Sequence, residues 1–218
     1  MLLSINGISK SYDNTLILDD ISLSLEQGQH SLLLGPSGSG KSTLLNIICG
    51  LQQPDKGVVH IDGEAIANAD GVQNGDAVRR KSLGIVFQTL RLVSALTLRA
   101  NLELAQKLQC GSVDGAAIDE SLERLDIANR ADAKPHKLSQ GEAQRAAIAR
   151  AVVVKPRLLI ADEPTSALDG DNAARVANLL LDMAQSVDAS LFIATHDERL
   201  QSFFPNNLQL SGGKVVSC

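Results

Sequence analysis

The chain has 218 residues, a formal net charge of −5 and only 2% aromatic residues. This length suits one large domain, or a core with a subdomain. The charge and the scarcity of aromatic rings argue against a nucleic-acid partner, because such proteins cluster Lys and Arg or stack bases on aromatic side chains. Cys49, Cys110 and Cys218 are scattered and odd in number, so neither a disulfide framework nor a metal site is expected from them. No signal-peptide pattern and no apolar run of the ~18–20 residues that a membrane span needs is visible, so we expect a cytosolic location.

The first third of the chain is predicted to be rich in β-strands. Residues 21–25 alternate apolar and polar side chains, as a half-buried strand does. Residues 58–61 do the same and are followed by a turn at Asp62 and Gly63. Residues 68–76 are polar and contain glycine, which predicts a surface loop.

A glycine-rich loop follows the apolar residues 31–34 and precedes a helical pattern at residues 44–48. It fits G-x-x-x-x-G-K-[ST], whose backbone N–H groups surround nucleotide phosphates, and the start of the helix adds its positive dipole end. Lys41 is predicted to reach the β- and γ-phosphates and Ser42 to ligate Mg²⁺. The loop residues are Gly35, Pro36, Ser37, Gly38, Ser39, Gly40, Lys41, Ser42 and Thr43.

Short, nearly continuous apolar runs predict the buried strands of a parallel sheet. Helical patterns separate these runs, which indicates a doubly wound α/β core. Residues 98–109 and 115–130 are rich in Ala, Leu, Glu and Gln, so we expect a helical insert between residues 89 and 155. Residues 208–216 predict a hairpin with a Gly-Gly turn. The predicted core strands are residues 32–34, 85–87, 158–161 and 191–194.

A second helix start that favours anions lies at residues 138–145. Ser139 and Glu142 have the spacing of a capping box, which accounts for both as helix-start residues. The box does not account for Gly141, because glycine is a poor helix former but permits the close approach of a ligand. The dipole at a capped helix start also attracts phosphate.

Two carboxylates, Asp162 and Glu163, follow the predicted strand 158–161. The carboxyl ends of parallel strands are where this type of sheet binds its ligands. Asp162 is therefore predicted to hold Mg²⁺, and Glu163 to orient and polarise the attacking water as a general base.

Together these motifs resemble those of the nucleotide-binding subunit of an ABC transporter. Residues 35–43 match the Walker A loop of that family, and residues 158–163 match its Walker B strand. Residues 138–145 resemble the family signature, usually written LSGGQ. The motifs cover nearly the whole chain and occur in the order of the family.

Shorter matches extend the resemblance. Residues 166–169 match the D-loop, Gln88 matches the Q-loop, and His196, within Thr-His-Asp at the end of a predicted strand, matches the H-loop. Tyr12 lies where the family has an aromatic residue that stacks on adenine.

The resemblance implies a P-loop NTPase core with a mostly parallel sheet, an N-terminal antiparallel β subdomain and a helical insert subdomain. Residues 1–88 and 156–218 would form the catalytic core with the β subdomain. Residues 89–155 would form the helical subdomain that carries the signature.

The resemblance also implies a head-to-tail homodimer around two ATP molecules, so that hydrolysis requires dimerisation. Ser139 and Gly141 would bind the γ-phosphate of the ATP held by the partner, and His196 would contact the γ-phosphate in its own chain. Gln88 would sense Mg²⁺ and water, and Asp169 would lie at the dimer seam.

The chain departs from the family pattern at several positions. Gln140 stands where the signature usually has its first Gly, and we expect Gln140→Gly to leave ATP-driven dimerisation intact. Glu142 in place of Gln, the short length and the run Ala-Asp-Glu-Pro-Thr resemble the subgroup of lipoprotein-release, macrolide-export and cell-division ATPases. Arg91 and Ala100 differ from what that subgroup leads us to expect.

The sequence therefore predicts a Mg²⁺-dependent ATPase that powers a membrane permease from the cytoplasmic side of the inner (plasma) membrane, with an exporter or lipoprotein-extracting role. One alternative is an ATPase that regulates a membrane partner, such as a cell-wall hydrolase system, without transport. Another is a soluble ABC ATPase, although those usually carry two such domains or long inserts. Leu90, Leu92 and Leu96 suit either core positions or the apolar floor of a permease groove.

Overall fold

The computed structural model describes residues 1–72, 74–166 and 168–217. Gln73 of the predicted loop, Ala167 of the predicted D-loop and Cys218 lie outside the described residues. The strands are β1 (Leu3–Tyr12), β2 (Thr15–Leu25), β3 (His30–Leu34), β4 (Lys56–Ile61), β5 (Glu64–Asn68), β6 (Leu83–Val86), β7 (Leu158–Asp162), β8 (Ser190–Thr195), β9 (Asn206–Ser211) and β10 (Lys214–Ser217). The α-helices are α1 (Lys41–Ile48), α2 (Gly75–Ser82), α3 (Leu98–Cys110), α4 (Gly115–Arg124), α5 (Gln140–Val152) and α6 (Gly170–Ser186). Short 3₁₀ helices lie at Ala128–Arg130, Pro135–Lys137 and Glu198–Phe203.

The strands form two sheets. A four-stranded antiparallel sheet has the order β2-β1-β4-β5, and a six-stranded sheet has the order β10-β9-β3-β8-β7-β6. Strands β9, β3, β8, β7 and β6 run parallel, and β10 pairs antiparallel with β9. The four predicted core strands all lie in the six-stranded sheet, which confirms the mixed α/β class with a mostly parallel core sheet.

The core lies on both faces of the six-stranded sheet. Neighbouring residues of a strand point to opposite faces, so Leu32 and Ile193 join the cluster on the side of α3 to α6, whereas Leu33 and Phe192 join the cluster with α1 and the antiparallel sheet. All four side chains are fully buried. Burial on both faces explains why these strands are nearly continuous apolar runs in the sequence.

Several elements differ from the sequence prediction. Helix α4 ends at Arg124 rather than at residue 130, because Asp126 has a left-handed backbone (φ 52°) that a helix cannot contain. Strand β5 reaches Asn68 and helix α2 starts at Gly75, so the predicted loop is shorter than residues 68–76. No sequence pattern had indicated β1, whose pairing with β2 shifts register and so interrupts the alternation expected of a strand.

The C-terminal hairpin of β9 and β10 joins the two sheets. Its turn at Gly212 and Gly213 is left-handed at both residues, as predicted for a Gly-Gly turn. The carbonyl oxygen of Gly213 accepts a hydrogen bond from the backbone N–H of Asp19 in β2 (2.8 Å). The carbonyl oxygen of Leu210 lies directly behind Gly35, 2.6 Å from the position that a Cβ atom there would take.

The parallel strands place the predicted motifs at one edge of the sheet. Strand β3 leads into the loop before α1, β7 ends at Asp162, and β8 ends at Thr195. Because β3, β8 and β7 are neighbours, their carboxyl ends meet in one place. Within residues 1–72, 74–166 and 168–217, none of the helices has the length and apolar content that a membrane crossing requires.

Candidate nucleotide site

The loop between β3 and α1 has a backbone that only glycine adopts easily. Gly40, immediately before α1, has φ 102°, and a Cβ atom there would lie 2.9 Å from Cγ2 of Ile17. Lys41 is the first residue of α1, and its side chain is almost fully buried. Its Nζ donates hydrogen bonds to the carbonyl oxygens of Gly35 (2.8 Å) and Pro36 (3.1 Å). The lysine side chain therefore folds back over the loop.

The acidic pair at the end of β7 lies beside this loop. Asp162 Oδ1 accepts a hydrogen bond from the hydroxyl of Ser42 (3.3 Å). Glu163 is only 9% exposed, and its Oε1 lies 3.3 Å from Nζ of Lys41. Its backbone is left-handed (φ 48°), which is costly for a residue with a side chain and is typical of functional sites.

The second oxygen of Glu163 contacts the end of β8. Its Oε2 accepts a hydrogen bond from the hydroxyl of Thr195 (2.9 Å) and from the backbone N–H of His196 (3.3 Å). Nδ1 of the His196 ring lies 2.9 Å from the same oxygen. Both carboxylate oxygens of Glu163 therefore have partners.

The environment shifts the pKa of the two acids in opposite directions. Burial disfavours the ionised form of Glu163, but hydrogen bonds from His196 and Thr195 and the charge of Lys41 outweigh it, so that its pKa is lowered. Burial raises the pKa of Asp162, and the hydrogen bond from Ser42 offsets this only in part. Glu163 is thus ionised near neutral pH. The pKa of Asp162 stays above its ordinary value because its hydrogen bond does not fully compensate for burial.

A cleft of about 370 Å³ opens in front of these residues. It brings together most of the predicted site residues from distant parts of the sequence. Gln88 also lines an adjoining pocket of about 90 Å³ beside Gln140 and Gln144 of α5, so it lies between the cleft and the helical segment. The residues that line the cleft are Tyr12, Ile17, Ser37, Gly38, Gly40, Lys41, Ser42, Thr43, Gln88, Glu163 and His196.

Tyr12 stands at the outer end of the cleft and is 44% exposed. The amide of Gln52 donates a hydrogen bond to its hydroxyl, and Nζ of Lys10 lies 5.8 Å from the centre of its ring. Gln52 and Lys10 therefore hold the ring of Tyr12 at the cleft. Gln52 belongs to no recognised motif, and only the folded structure brings it to Tyr12.

Ser139, Gly141 and Asp169 do not line the cleft. Ser139 forms the predicted capping box: its Oγ accepts from the N–H of Glu142 (3.3 Å), and its own N–H donates to Oε2 of Glu142 (2.7 Å). Asp169 caps α6 by accepting from the N–H of Asn172 (3.0 Å). All three predicted binding residues are displayed on the surface of the chain.

The start of α5 does not need glycine for its fold. Neither Gln140 nor Gly141 has a left-handed backbone. A Cβ atom on Gly141 would meet only Nη1 of Arg145, at the ordinary contact distance of 3.6 Å. Glycine at this exposed position leaves the helix start open to a close ligand.

The cleft has the polar atoms that a triphosphate and a magnesium ion require. The Oγ of Ser39, in the same loop, is buried and has no hydrogen-bond partner among the described residues. The oxygens of Ser42 and Asp162 lie side by side, and oxygen is the ligand that Mg²⁺ prefers. Among the described residues no group of three or more His, Cys, Asp or Glu side chains could hold a metal ion by itself.

An apolar groove of about 300 Å³ lies away from the cleft, where α2, α3 and α5 meet β6. Leu51 and Leu108 are 45% and 65% exposed at this groove, and Phe87 lines it. Arg79, Arg80 and Arg150 also line it. Among the leucines that suited either a groove or a core, Leu92 packs against the main core and Leu90 lines the pocket beside Gln88.

Arg91, which differs from the expected subgroup pattern, lies at the rim of this region. Its guanidinium lies 4.2 Å from the centre of the Phe87 ring, and its backbone is left-handed (φ 48°). Its carbonyl oxygen accepts a hydrogen bond from Arg150. Arg91 thus fixes the path of the chain between β6 and α3.

Comparisons with known proteins agree with this geometry. The family model described as "ABC transporter" matches residues 18–166. An uncharacterized ABC transporter ATP-binding protein of Mycobacterium tuberculosis is 40% identical over 202 residues, which cover 92% of this chain and 81% of the relative. The lipoprotein-releasing system ATP-binding protein LolD of Bacteroides fragilis is 32% identical over 217 residues, which cover 99% of this chain and all of the relative.

Solved structures support the same assignment. A bacterial ABC transporter cassette, solved as a dimer, superposes with a TM-score of 0.87 at 32% identity and covers 98% of this chain and 96% of its own. The same cassette, solved in a post-hydrolysis state with ADP and Pi, gives the same score. With residues of the Walker-type loop, Glu163 and His196 gathered in one cleft, the chain belongs to the ABC transporter family as an ATP-binding and ATP-hydrolysing subunit.

Proposed function

We propose that the chain hydrolyses Mg²⁺-ATP in a head-to-tail dimer, in which each cleft is completed by the α5 start of the second copy. The observation that carries this proposal is that the predicted phosphate-binding residues lie in two separate places on one chain. Lys41, Glu163 and His196 line the cleft, whereas Ser139 and Gly141 are exposed outside it. Ser139 and Gly141 of one chain therefore remain available to a nucleotide held by a second copy. The dimer formed by the similar cassette supports this arrangement.

Within the cleft, each side chain has a role that follows from its position. Tyr12 stacks on the adenine, and Lys41 leaves its carbonyl partners to bind the β- and γ-phosphates. Glu163, ionised and held by Thr195 and His196, accepts the proton of the attacking water. The ring of His196 is close enough to Glu163 to orient it and half-exposed, so that it also contacts the γ-phosphate.

Ser42 and Asp162 would hold the Mg²⁺ ion, with Gln88 at the same edge of the cleft. When bound, the ion neutralises charge that develops on the phosphate oxygens. Gln88 also borders the pocket beside α5, so a change at the cleft reaches the helical segment 89–155 through it. We propose that this segment acts as the subdomain that follows the nucleotide state.

The first test replaces Glu163 by Gln, which keeps the size of the side chain but replaces one acceptor oxygen by an amide NH2 group and removes the base. We expect hydrolysis to fall by about 10²-fold or more, because general-base assistance is worth that much, while ATP still binds and drives dimerisation. Phosphate release and light scattering with Mg²⁺-ATP measure the two properties. Asp182→Asn, at an exposed position of α6, is the control and should match the parent chain. Normal hydrolysis by Glu163→Gln would overturn the proposed mechanism.

The groove that Leu51, Phe87 and Leu108 line is where we propose that the permease docks. Exposed apolar side chains next to the exposed Arg80 suit a cytoplasmic helix with apolar and acidic residues, whereas Arg150 already donates a hydrogen bond to the carbonyl oxygen of Arg91. Arg79 is occupied, since it donates to the carbonyl oxygen of Gly50 (3.3 Å) and pairs with Asp76 (2.6 Å). This docking would place the chain peripherally at the cytoplasmic face of the membrane.

Leu108→Asp tests the docking site in the Glu163→Gln background, where the ATP-bound state persists. We expect the fold and ATP-driven dimerisation to remain, and a membrane protein that co-purifies with Glu163→Gln from solubilised membranes to be lost. Val216→Asp is the matched control, because Val216 is similarly exposed on β10, far along the sheet from the groove. Equal recovery of the membrane protein with Leu108→Asp would place the contact elsewhere.

The likeness to a lipoprotein-releasing ATPase supports an exporter or lipid-extracting transporter. Reconstitution with the co-purified permease in vesicles tests this. Stimulated hydrolysis together with movement or release of a lipid-anchored substrate supports transport. Stimulated hydrolysis without any movement of substrate would favour the regulatory alternative.

A further inference from the structure

A network of polar side chains adjoins Glu163; Thr165, Thr195 and Asp197 are buried in it, and Arg199 is half-exposed. At its centre is Asp197, which is 8% exposed. Its Oδ2 accepts a hydrogen bond from the hydroxyl of Thr165 (3.0 Å). The guanidinium of Arg199 makes a bidentate contact with the same carboxylate: Nε donates to Oδ1 (2.6 Å) and Nη2 donates to Oδ2 (2.7 Å). Bidentate hydrogen bonds between arginine and a carboxylate are among the strongest and most directional in proteins.

One branch of the network leads to the proposed base. The backbone N–H of Asp197 donates to Oγ1 of Thr195 (3.1 Å), and that hydroxyl donates its own proton to Oε2 of Glu163 (2.9 Å). Thr195 and Thr165 are both buried and without access to water. The position of Asp197 therefore fixes the direction from which Thr195 holds Glu163.

The other branch leads to the segment that precedes α6. Nη2 of Arg199 also donates to the carbonyl oxygen of Leu168 (3.3 Å). The next residue is Asp169, the cap of α6, and a Cβ atom on Gly170 would lie 3.6 Å from Nη1 of Arg199. The guanidinium thus touches the chain on both sides of Asp169.

We propose that Arg199 is a positioning residue for hydrolysis, which joins the segment around Asp169 to the loop that holds Glu163. This inference rests on the role proposed above for Glu163. The segment around Asp169 is exposed and would face the second copy, so closure of the dimer is passed to Glu163 through Arg199, Asp197 and Thr195. Without Arg199, the carboxylate of Asp197 is left buried without its charged partner, and the hydrogen bond to the carbonyl oxygen of Leu168 is lost.

Arg199→Ala, Arg199→Lys and Asp197→Asn/Arg199→Ala test this inference. We expect kcat for Arg199→Ala to fall about tenfold, a loss typical of one charged hydrogen-bonded pair, with ATP affinity and KM within about twofold of the parent. Arg199→Lys is expected to have a higher kcat than Arg199→Ala, because lysine keeps the charge but cannot make the bidentate contact. The double variant is expected to be no slower than Arg199→Ala, because residues of one network are not additive. Arg124→Ala, which removes an exposed pair with Glu120, is the control with unchanged kcat.

Several outcomes would overturn the inference. These are an unchanged kcat in Arg199→Ala, an equal loss in Arg199→Lys, or a double variant with a lower kcat than Arg199→Ala. A loss that appears only in KM, or only in the thermal midpoint of unfolding, would show that Arg199 serves binding or stability instead. Glu163→Gln separates this inference from the proposed mechanism. If Glu163→Gln abolishes hydrolysis and Arg199→Ala leaves it intact, only the role of Arg199 is wrong.

Discussion

The loop before α1 and the start of α5 each contain a glycine, Gly40 and Gly141, and these two glycines serve different purposes. Gly40 has a strongly left-handed backbone and no room for a side chain next to Ile17. Gly141 has an ordinary helical backbone and ample room. The phosphate loop therefore needs its glycine in order to fold, whereas the start of α5 needs its glycine only for what approaches from outside.

Alanine at the two positions should separate these purposes. Gly40→Ala is expected to lower the free energy of unfolding by roughly 1–3 kcal/mol, because a non-glycine residue is forced into a left-handed conformation. Gly141→Ala is expected to leave stability unchanged or to raise it by about 0.5–1 kcal/mol, since alanine is the better helix former, while ATP-driven dimerisation weakens. Urea denaturation and light scattering measure the two effects. Destabilisation by Gly141→Ala would contradict the assignment of this glycine to a surface role.

At the scale of the element, the start of α5 is held by charges as well as by its capping box. Glu142 accepts a hydrogen bond from the N–H of Ser139. It also pairs with Arg130 (2.6 Å), which ends the 3₁₀ helix Ala128–Arg130. The Arg130 guanidinium, followed by the Ser139 N–H, lowers the pKa of Glu142 from its ordinary value of 4.5 to about 2. Glutamate in place of the usual glutamine therefore ties the signature helix to the turn at Arg130.

This pairing predicts a pH dependence of stability. A carboxylate whose pKa is depressed by folding stabilises the protein above the unfolded-state value of 4.5, and that stabilisation is lost as the pH falls through the folded value of about 2. Glu142→Gln should therefore be less stable than the parent at pH 7, and the difference should shrink as the pH falls from about 5 towards 2. Urea titrations across this range measure it. Glu120→Gln, on the exposed face of α4, is the control, and a constant difference for Glu142→Gln would be inconsistent with this account.

Elements buried on two faces were predictable from the sequence, whereas those set by tertiary contacts were not. The strands β3, β6, β7 and β8 are apolar throughout because both their faces are covered, and their ends carry the motifs. The end of α4 depends on the backbone of Asp126, and β1 on a bulged pairing, neither of which leaves a periodic pattern. Among side chains near the site, Gln52 and Arg199 act only through the fold, so no motif includes them.

At the scale of the whole molecule, the proposed dimer would divide the site residues of one chain, including Lys41 and the exposed Ser139, between two active sites. Lys41→Ala would inactivate the cleft of its own chain, and Ser139→Arg the cleft of the second copy. A dimer of one Lys41→Ala chain and one Ser139→Arg chain would then contain one cleft with both defects and one with none.

Mixing these variants is therefore expected to restore hydrolysis that neither has alone. Random pairing of equal amounts gives about a quarter of the parent activity if one intact cleft works independently. Phosphate release from co-expressed chains, compared with each variant alone, measures this recovery. Parent-like hydrolysis by Ser139→Arg alone, or no recovery from mixed dimers that form normally, would contradict shared sites.

The phosphate loop depends on contacts with the C-terminal hairpin of β9 and β10. Strands β9 and β10 line none of the cleft, yet the carbonyl of Leu210 supports Gly35 from behind and Gly213 anchors β2, which places Ile17 against Gly40. A protease that cuts within residues 206–217 would leave every nucleotide-binding motif intact and still loosen the phosphate loop. Damage at this end of the chain would therefore register as weaker ATP binding, far along the sequence from the residues that contact the nucleotide.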